Sequence, residues 1–199
     1  MIAIIDYKLG NLGSIKNALD AINLKSVITN NIDVIKKVDK IILPGVGAFK
    51  KAMDNLFELN LIETIVNEIK KGKPVLGICL GMQLLFSSSE EHGLTNGLNI
   101  LDGRIVRFKN NGFKIPHVGW NDLIIPGGSK LFRGLNNSYV YFVHSYHLIT
   151  DNKKYLLTDS IYGYKFACAV EYKNIFATQF HPEKSGSVGL KILKNFGDL

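Results

Sequence analysis

Cysteine is scarce in this sequence. Two cysteines among 199 residues, Cys79 and Cys168, cannot build a disulfide framework, and nothing in the sequence pairs them. That usage fits a reducing, cytosolic compartment. The start, MIAIIDYKLGN, reaches Asp6 after a short apolar stretch and carries no basic leader, so no secretory signal is expected. No apolar run approaches the roughly 18 residues of a membrane span, and a soluble protein is expected. The Lys-Ser/Thr ending of a phosphate-binding loop, the full G-x-G-x-x-G fingerprint, C-x-x-C and H-E-x-x-H are missing as well. His144 and His147 in HSYH have no second ligand cluster beside them, so no metal and no cofactor are expected.

Arginine-rich stripes with interleaved aromatics are also absent. The formal net charge is +7, from 24 Lys+Arg against 17 Asp+Glu, which raises the question of nucleic acid. The cations are scattered, mostly lysines, in IKKVDK, FKKAM, EIKKGK and DNKKY. Spread in this way they suit solvated helix faces, with some charge available to meet an acidic partner or steer phosphorylated substrates. No nucleic-acid partner is expected.

What is present is an alternation. MIAIID reads as a buried strand, and GSIKNALDAINL follows with Ile15, Leu19 and Ile22 at helical spacing. KSVITN and KIILP are strand-like on either side of the weakly helical DVIKKV. After LPGVGAF, the residues Met53, Leu56, Phe57, Leu61, Ile65 and Ile69 predict helix, broken near Asn60. KPVLGI is a strand again, and LGMQLLFSSSEE is predicted as a helix. Beyond Asp102 the texture changes to the strand-like runs GRIVRF, SYVYFVHSYHLI, YLLTDSI, KFACAVEY and NIFATQF, and GSVGLKILKNF closes with a helix. The pattern predicts one α/β domain over residues 1–199. Its central, mostly parallel sheet is covered by helices, and the C-terminal half adds partly antiparallel strands.

The stretch GICLGMQ sets Cys79 between Gly77 and Gly81, where strand PVLGI gives way to a helix starting at Leu80. A buried structural cysteine fits that place. So does a nucleophile on a strained turn, its thiol at a helix start and the Leu80 N–H as an oxyanion donor. ATQFHPEKS tips the balance. His181 and Glu183 stand two apart after a strand, so in extended chain they face the same way. Glu183 can then hold His181 by Nδ1 and leave Nε2 for a thiol. The loop around Gly45, Val46 and Gly47 is a second source of an oxyanion N–H.

With these pieces assembled, the sequence resembles the class-I, triad-type glutamine amidotransferases, and most closely the glutaminase subunits of imidazole glycerol phosphate synthases. The matching stretches are DYKLGNLGSI, LPGVGAF, GICLGMQLLFSSSEE, KIPHVGWN, YFVHSYH and QFHPEKSGSVGL, spanning essentially the whole chain. The resemblance implies a flavodoxin-like fold, Cys79 as nucleophile, His181 as base and acid, and Glu183 as the orienting carboxylate. It assigns the amino-acid end of L-glutamine to Gln83 and Glu91 with backbone groups of Ser145 and Tyr146, and makes Gly45–Gly47 a mobile oxyanion strand. Asn11, Trp120 and Lys184 fall where the family meets a (βα)₈-barrel cyclase in a heterodimer, serving histidine biosynthesis in the cytoplasm. Lys8 and His147 depart from the family pattern, which commonly has glycine and tyrosine there. The same chemistry feeding a different synthase, such as one making a surface sugar, and a stand-alone γ-glutamyl hydrolase are the competing expectations.

Overall fold

Every residue of the first strand, Ile2–Ile5, is buried, and its side chains feed two separate cores: Ala3 and Ile5 one, Ile2 and Ile4 the other. Period-two alternation with no polar face means that both sides of the sheet are covered. The computed structural model describes residues 1–110, 112–136 and 138–199. Its first half runs β1 (Ile2–Ile5), α1 (Leu12–Ala21), β2 (Ser26–Thr29), α2 (Ile32–Lys37), β3 (Lys40–Leu43), α3 (Phe49–Glu58), α4 (Ile62–Lys70), β4 (Val75–Ile78) and α5 (Leu80–Leu84). The strands β5 (Phe86–Ser89), β6 (Thr95–Asn96), β7 (Leu101–Arg107), β8 (His117–Asp122) and β9 (Tyr139–His144) follow. The chain ends with β10 (Tyr146–Ile149), β11 (Leu156–Tyr162), β12 (Tyr164–Tyr172), β13 (Ile175–Thr178) and α6 (Gly186–Gly197).

The large sheet is parallel from β2 through β1, β3 and β4 to β13, and antiparallel from β13 through β12 and β10 to β7. Beyond β7 comes β5, parallel to it, then the short antiparallel β6, while β11 lies against β12. Strands β8 and β9 form a separate two-stranded sheet. The predicted architecture is therefore the observed one.

Helices α1 and α6 cover one face with Ile15, Leu19, Ile192, Leu193 and Phe196. The opposite face is covered by α2 to α4, through Ile35, Phe49, Leu56, Ile65 and Ile69. Each such side chain, fully buried, contributes about 1.5–3 kcal/mol. Asn11 and Asn31 start α1 and α2 by accepting backbone N–H groups in the first turn, from Ser14 at 3.3 Å and from Asp33 and Val34 at 2.9 and 3.2 Å. The break near Asn60 is there: its φ of 55° is left-handed and separates α3 from α4. Among the described residues no helix is long and apolar enough to cross a membrane.

Two expectations are corrected. LGMQLLFSSSEE is a helix only over Leu80–Leu84, and Phe86–Ser89 turns into β5 beside β7. A short apolar run such as LLF fits a buried helix or a buried strand equally well, and the serines accept either. SYVYFVHSYHLI is not one strand: at Ser145 it leaves the small sheet (β9) for the large one (β10).

Register places the site. Thr178 pairs with Ile78, and Leu43 with Gly77, at the carboxyl ends of three neighbouring parallel strands. The residues just beyond them, Pro44–Gly47, Cys79 and Gln179–His181, are thereby brought to one edge, where ligands of open α/β sheets bind.

Candidate active site

Cys79 has φ 54° and ψ −108°. A cysteine at positive φ is strained by about 1–3 kcal/mol and persists only where its surroundings dictate it. Here they do. Its N–H is held by the Thr178 carbonyl at 2.7 Å, and its carbonyl accepts the Gln83 N–H at 3.2 Å. The following turn presses onto β3 so closely that a Cβ on Gly81 would overlap the Leu43 carbonyl oxygen. Gly45 is constrained likewise: a Cβ there would collide with the Tyr7 hydroxyl.

Opposite the thiol, His181 Nδ1 and Glu183 Oε1 are 2.8 Å apart, with side chains only 2% and 1% exposed. Residues 182–184 form a 3₁₀ turn rather than continuing the extended chain expected, yet His181 and Glu183 still meet. The Ser185 hydroxyl donates to the His181 carbonyl at 2.6 Å and fixes that turn. His181 Nε2 is buried and has no hydrogen-bond partner within bonding geometry among the described residues, and the residue lines the same cavity as Cys79. Burial opposes charge on this imidazole. The Cys79 thiolate and the Glu183 carboxylate outweigh it and lift the pKa to about 10.

The cavity, about 350 Å³, brings together Cys79, His181, Leu80, Val46, Gly47, Gln83, Glu91, Ser145 and Tyr146, all singled out from sequence. Gly45 lies behind the lining, and its carbonyl accepts the Leu80 N–H at 3.4 Å. That oxyanion donor is therefore covered rather than free. Glu91 Oε2 accepts the Phe49 N–H at 2.6 Å, tying the acidic residue to the start of α3, two residues beyond the 45–47 loop. Asn11, Trp120 and Lys184 lie outside the cavity. Trp120 and Lys184 gather around Tyr141, with ring centroids 6.2 Å apart and the ammonium 6.0 Å from the ring. Pro116, Val143 and His144 also line the cavity without having been anticipated. His147 does not: it faces another hollow and bonds Tyr164.

His144 and His147 do not pair. Instead His144 Nδ1–H donates to the Tyr146 carbonyl at 2.8 Å, which leaves its Nε2 to accept from His117 Nδ1–H at 3.1 Å. Both rings are held neutral, burial pushing His117 down to about 4 and His144 down to about 3. Since both folded-state values lie below the ordinary 6.5, the stability these rings contribute is present above that pH. It is lost as pH falls through about 4 and then about 3. The thermal midpoint is expected to drop on acidification over that window. His117→Phe, which keeps the stacking on Phe142 and Tyr162, should flatten the drop in thermal scans. An equally steep drop in that variant would refute the assignment.

The family described as "Glutamine amidotransferase class-I" matches residues 3–198 of the chain. The imidazole glycerol phosphate synthase subunit HisH of Methanocaldococcus jannaschii is 50% identical over 200 residues, covering 100% of both chains. The HisH subunit of Syntrophotalea carbinolica is 45% identical over 206 residues, again with full coverage of both. Among solved structures, a glutamine amidotransferase superimposes with a TM-score of 0.79 at 16% identity, covering 99% of this chain and 100% of that one. PurLQS from Thermotoga maritima gives 0.74 at 16% identity, with 98% and 96% covered. These two likenesses concern the fold.

Proposed function

Because the chain belongs to the class-I glutamine amidotransferase family, and within it to the HisH subunits of imidazole glycerol phosphate synthase, we propose that Cys79, His181 and Glu183 hydrolyse glutamine and that the ammonia passes to a partner subunit. The observation that carries this is the buried His181–Glu183 pair, with Nε2 unpartnered and His181 lining the same cavity as Cys79. The role is that of a glutamine amidotransferase in histidine biosynthesis, exercised in the cytoplasm.

The Cys79 thiolate attacks the side-chain amide carbon of glutamine, and the charge moves to the carbonyl oxygen. His181 Nε2–H gives its proton to the departing nitrogen as the C–N bond breaks, leaving ammonia and a γ-glutamyl thioester. Water then loses a proton to Nε2 and attacks the thioester, and breaking the C–S bond returns the thiolate and releases glutamate. Glu91 pairs with the α-ammonium of glutamine, and Gln83 with backbone groups of Ser145 and Tyr146 completes the grip. The oxyanion is served by Leu80 N–H and by an N–H of the Val46–Gly47 segment. Both require the Gly45 carbonyl to turn away from Leu80, which bonds it at 3.4 Å. A missing donor of this kind slows catalysis by about 10²–10³.

Ammonia freed into bulk water is largely protonated and useless as a nucleophile, so a sheltered route to an acceptor is needed. The outer face of the β8–β9 sheet supports docking of a (βα)₈-barrel cyclase. Val118, Trp120 and Tyr139 there are 55%, 57% and 59% exposed, and Val143, on the same strand as Tyr139, also lines the cavity. An exposed apolar cluster of this kind marks an interaction surface. Asn11 and Lys184 complete the contact in this reading.

The test is glutamate release in three mixtures: the chain alone, with its cognate cyclase, and with cyclase plus the phosphoribulosyl-formimino-aminoimidazole carboxamide nucleotide acceptor. Hydrolysis is expected to rise by about 10² or more in the last. Full-rate hydrolysis by the chain alone would favour a stand-alone hydrolase and overturn the reading.

A further inference from the structure

Gln179 lies just past β13, fully buried, and its side-chain Nε2 donates to Cys79 Sγ at 3.6 Å. Its neighbours fix the direction of this amide. The Tyr146 carbonyl can only accept, so Gln83 Nε2, 3.3 Å away, must be the donor there. The same Nε2 donates to Gln179 Oε1 at 2.9 Å, which leaves Gln179 Nε2 facing the sulfur. The chain of bonds runs one way, and the reversed amide would set an oxygen against the thiolate. Pairing of β13 with β4, Thr178 opposite Ile78, brings residue 179 alongside residue 79. The Gln179 N–H, bonded to the Cys168 carbonyl at 2.8 Å, anchors it there.

We propose that Gln179 is a further catalytic residue, whose amide N–H stabilises the Cys79 sulfur at the two moments when it carries negative charge. This rests on Cys79 being the nucleophile. The first moment is the free thiolate before attack. The second is thiolate expulsion when the C–S bond of the thioester breaks. Between them the sulfur is neutral and the donor contributes little, so it favours both ends of the cycle without deepening the intermediate. No proton is transferred to or from Gln179. The competing role is a structural one, in which Gln179 merely accepts from Gln83 and keeps that side chain in place.

The two roles separate in a double-mutant comparison read by alkylation of Cys79 with iodoacetamide, in the absence of glutamine. Cys168 stays silent there, since it is fully buried and its thiol is pushed well up by that burial. Gln179→Met, similar in volume but without a donor, is expected to slow alkylation about tenfold at neutral pH. It should also do so in a Gln83→Leu background, where nothing is left for Gln179 to accept and the thiolate alone still selects the Gln179 NH₂ over its oxygen. A Met effect that disappears once Gln83 is replaced, or no effect in either background, overturns the proposal. Should Gln179→Met fail to fold, Gln179→Asn withdraws the amide from the sulfur and is expected to slow alkylation too; wild-type speed in it is equally fatal. With partner and acceptor present, Gln179→Met should accumulate the glutamyl thioester, seen by intact mass. Alkylation needs no glutamine, so a wild-type chain that alkylates but never hydrolyses glutamine refutes the glutaminase reading and leaves the Gln179 test standing.

Discussion

Cys79→Ala is expected to remove glutamine hydrolysis, lowering kcat by a factor on the order of 10⁶ with the fold retained. The loss is so large because the thiolate has no substitute. Cys168 is buried, with its thiol pushed up, on β12. His181 could in principle direct water at the amide, but in the variant it loses one of the two anions that raise its pKa to about 10. The imidazolium that should protonate the leaving nitrogen then becomes scarcer at the same pH. Alanine retains a Cβ at φ 54°, so the backbone strain is unchanged and stability should stay close to wild type. The measurement is glutamate release with partner and acceptor present, beside an intact-mass search for a glutamyl adduct. Residual turnover within about a hundredfold of wild type would require another nucleophile and would sink the assignment.

The candidate site was largely legible because its signals are local. Gly-x-Cys-x-Gly at a strand end and His-Pro-Glu after a strand each carry their geometry within a few residues, and both strands showed as apolar runs. The sheet and its helices followed from the change of hydrophobic period along the chain. What stayed hidden depends on distant pairing. Gln179 is an unremarked polar residue until β13 lies beside β4 and turns it toward sulfur. His117 meets His144 only because β8 pairs with β9, with those two residues directly opposite. The boundary between α5 and β5 was invisible for another reason: a fully buried segment shows no alternation, whichever structure it adopts. The Gly45 carbonyl covering Leu80 N–H is a matter of peptide orientation, which residue types do not encode.

Glu183→Gln should lower kcat by about 10⁴ although it changes neither size nor shape. The wild-type carboxylate can only accept, so Nδ1–H donates to Glu183 Oε1 at 2.8 Å whether the ring is charged or neutral, and Nε2 is left as the nitrogen that gives up and regains the catalytic proton. A glutamine amide can instead turn its NH₂ toward Nδ1. Once the ring has given a proton to the leaving nitrogen, the neutral imidazole then keeps its remaining proton on Nε2, the wrong tautomer for accepting a proton from water. The substitution also removes an anion that supports the imidazolium, so the pKa of His181 falls from about 10. Because the acid that protonates the departing nitrogen is lost above that pKa, the alkaline limb of kcat must move to lower pH. A side chain acting only as a spacer would give the opposite result, an active variant with an unshifted profile. Glu183 is 1% exposed, so partner affinity should be unchanged, and a titration of the two subunits separates an orientation defect from a docking defect. A Glu183→Gln variant with wild-type kcat and an unmoved alkaline limb would mean that the carboxylate does not set the tautomer of His181.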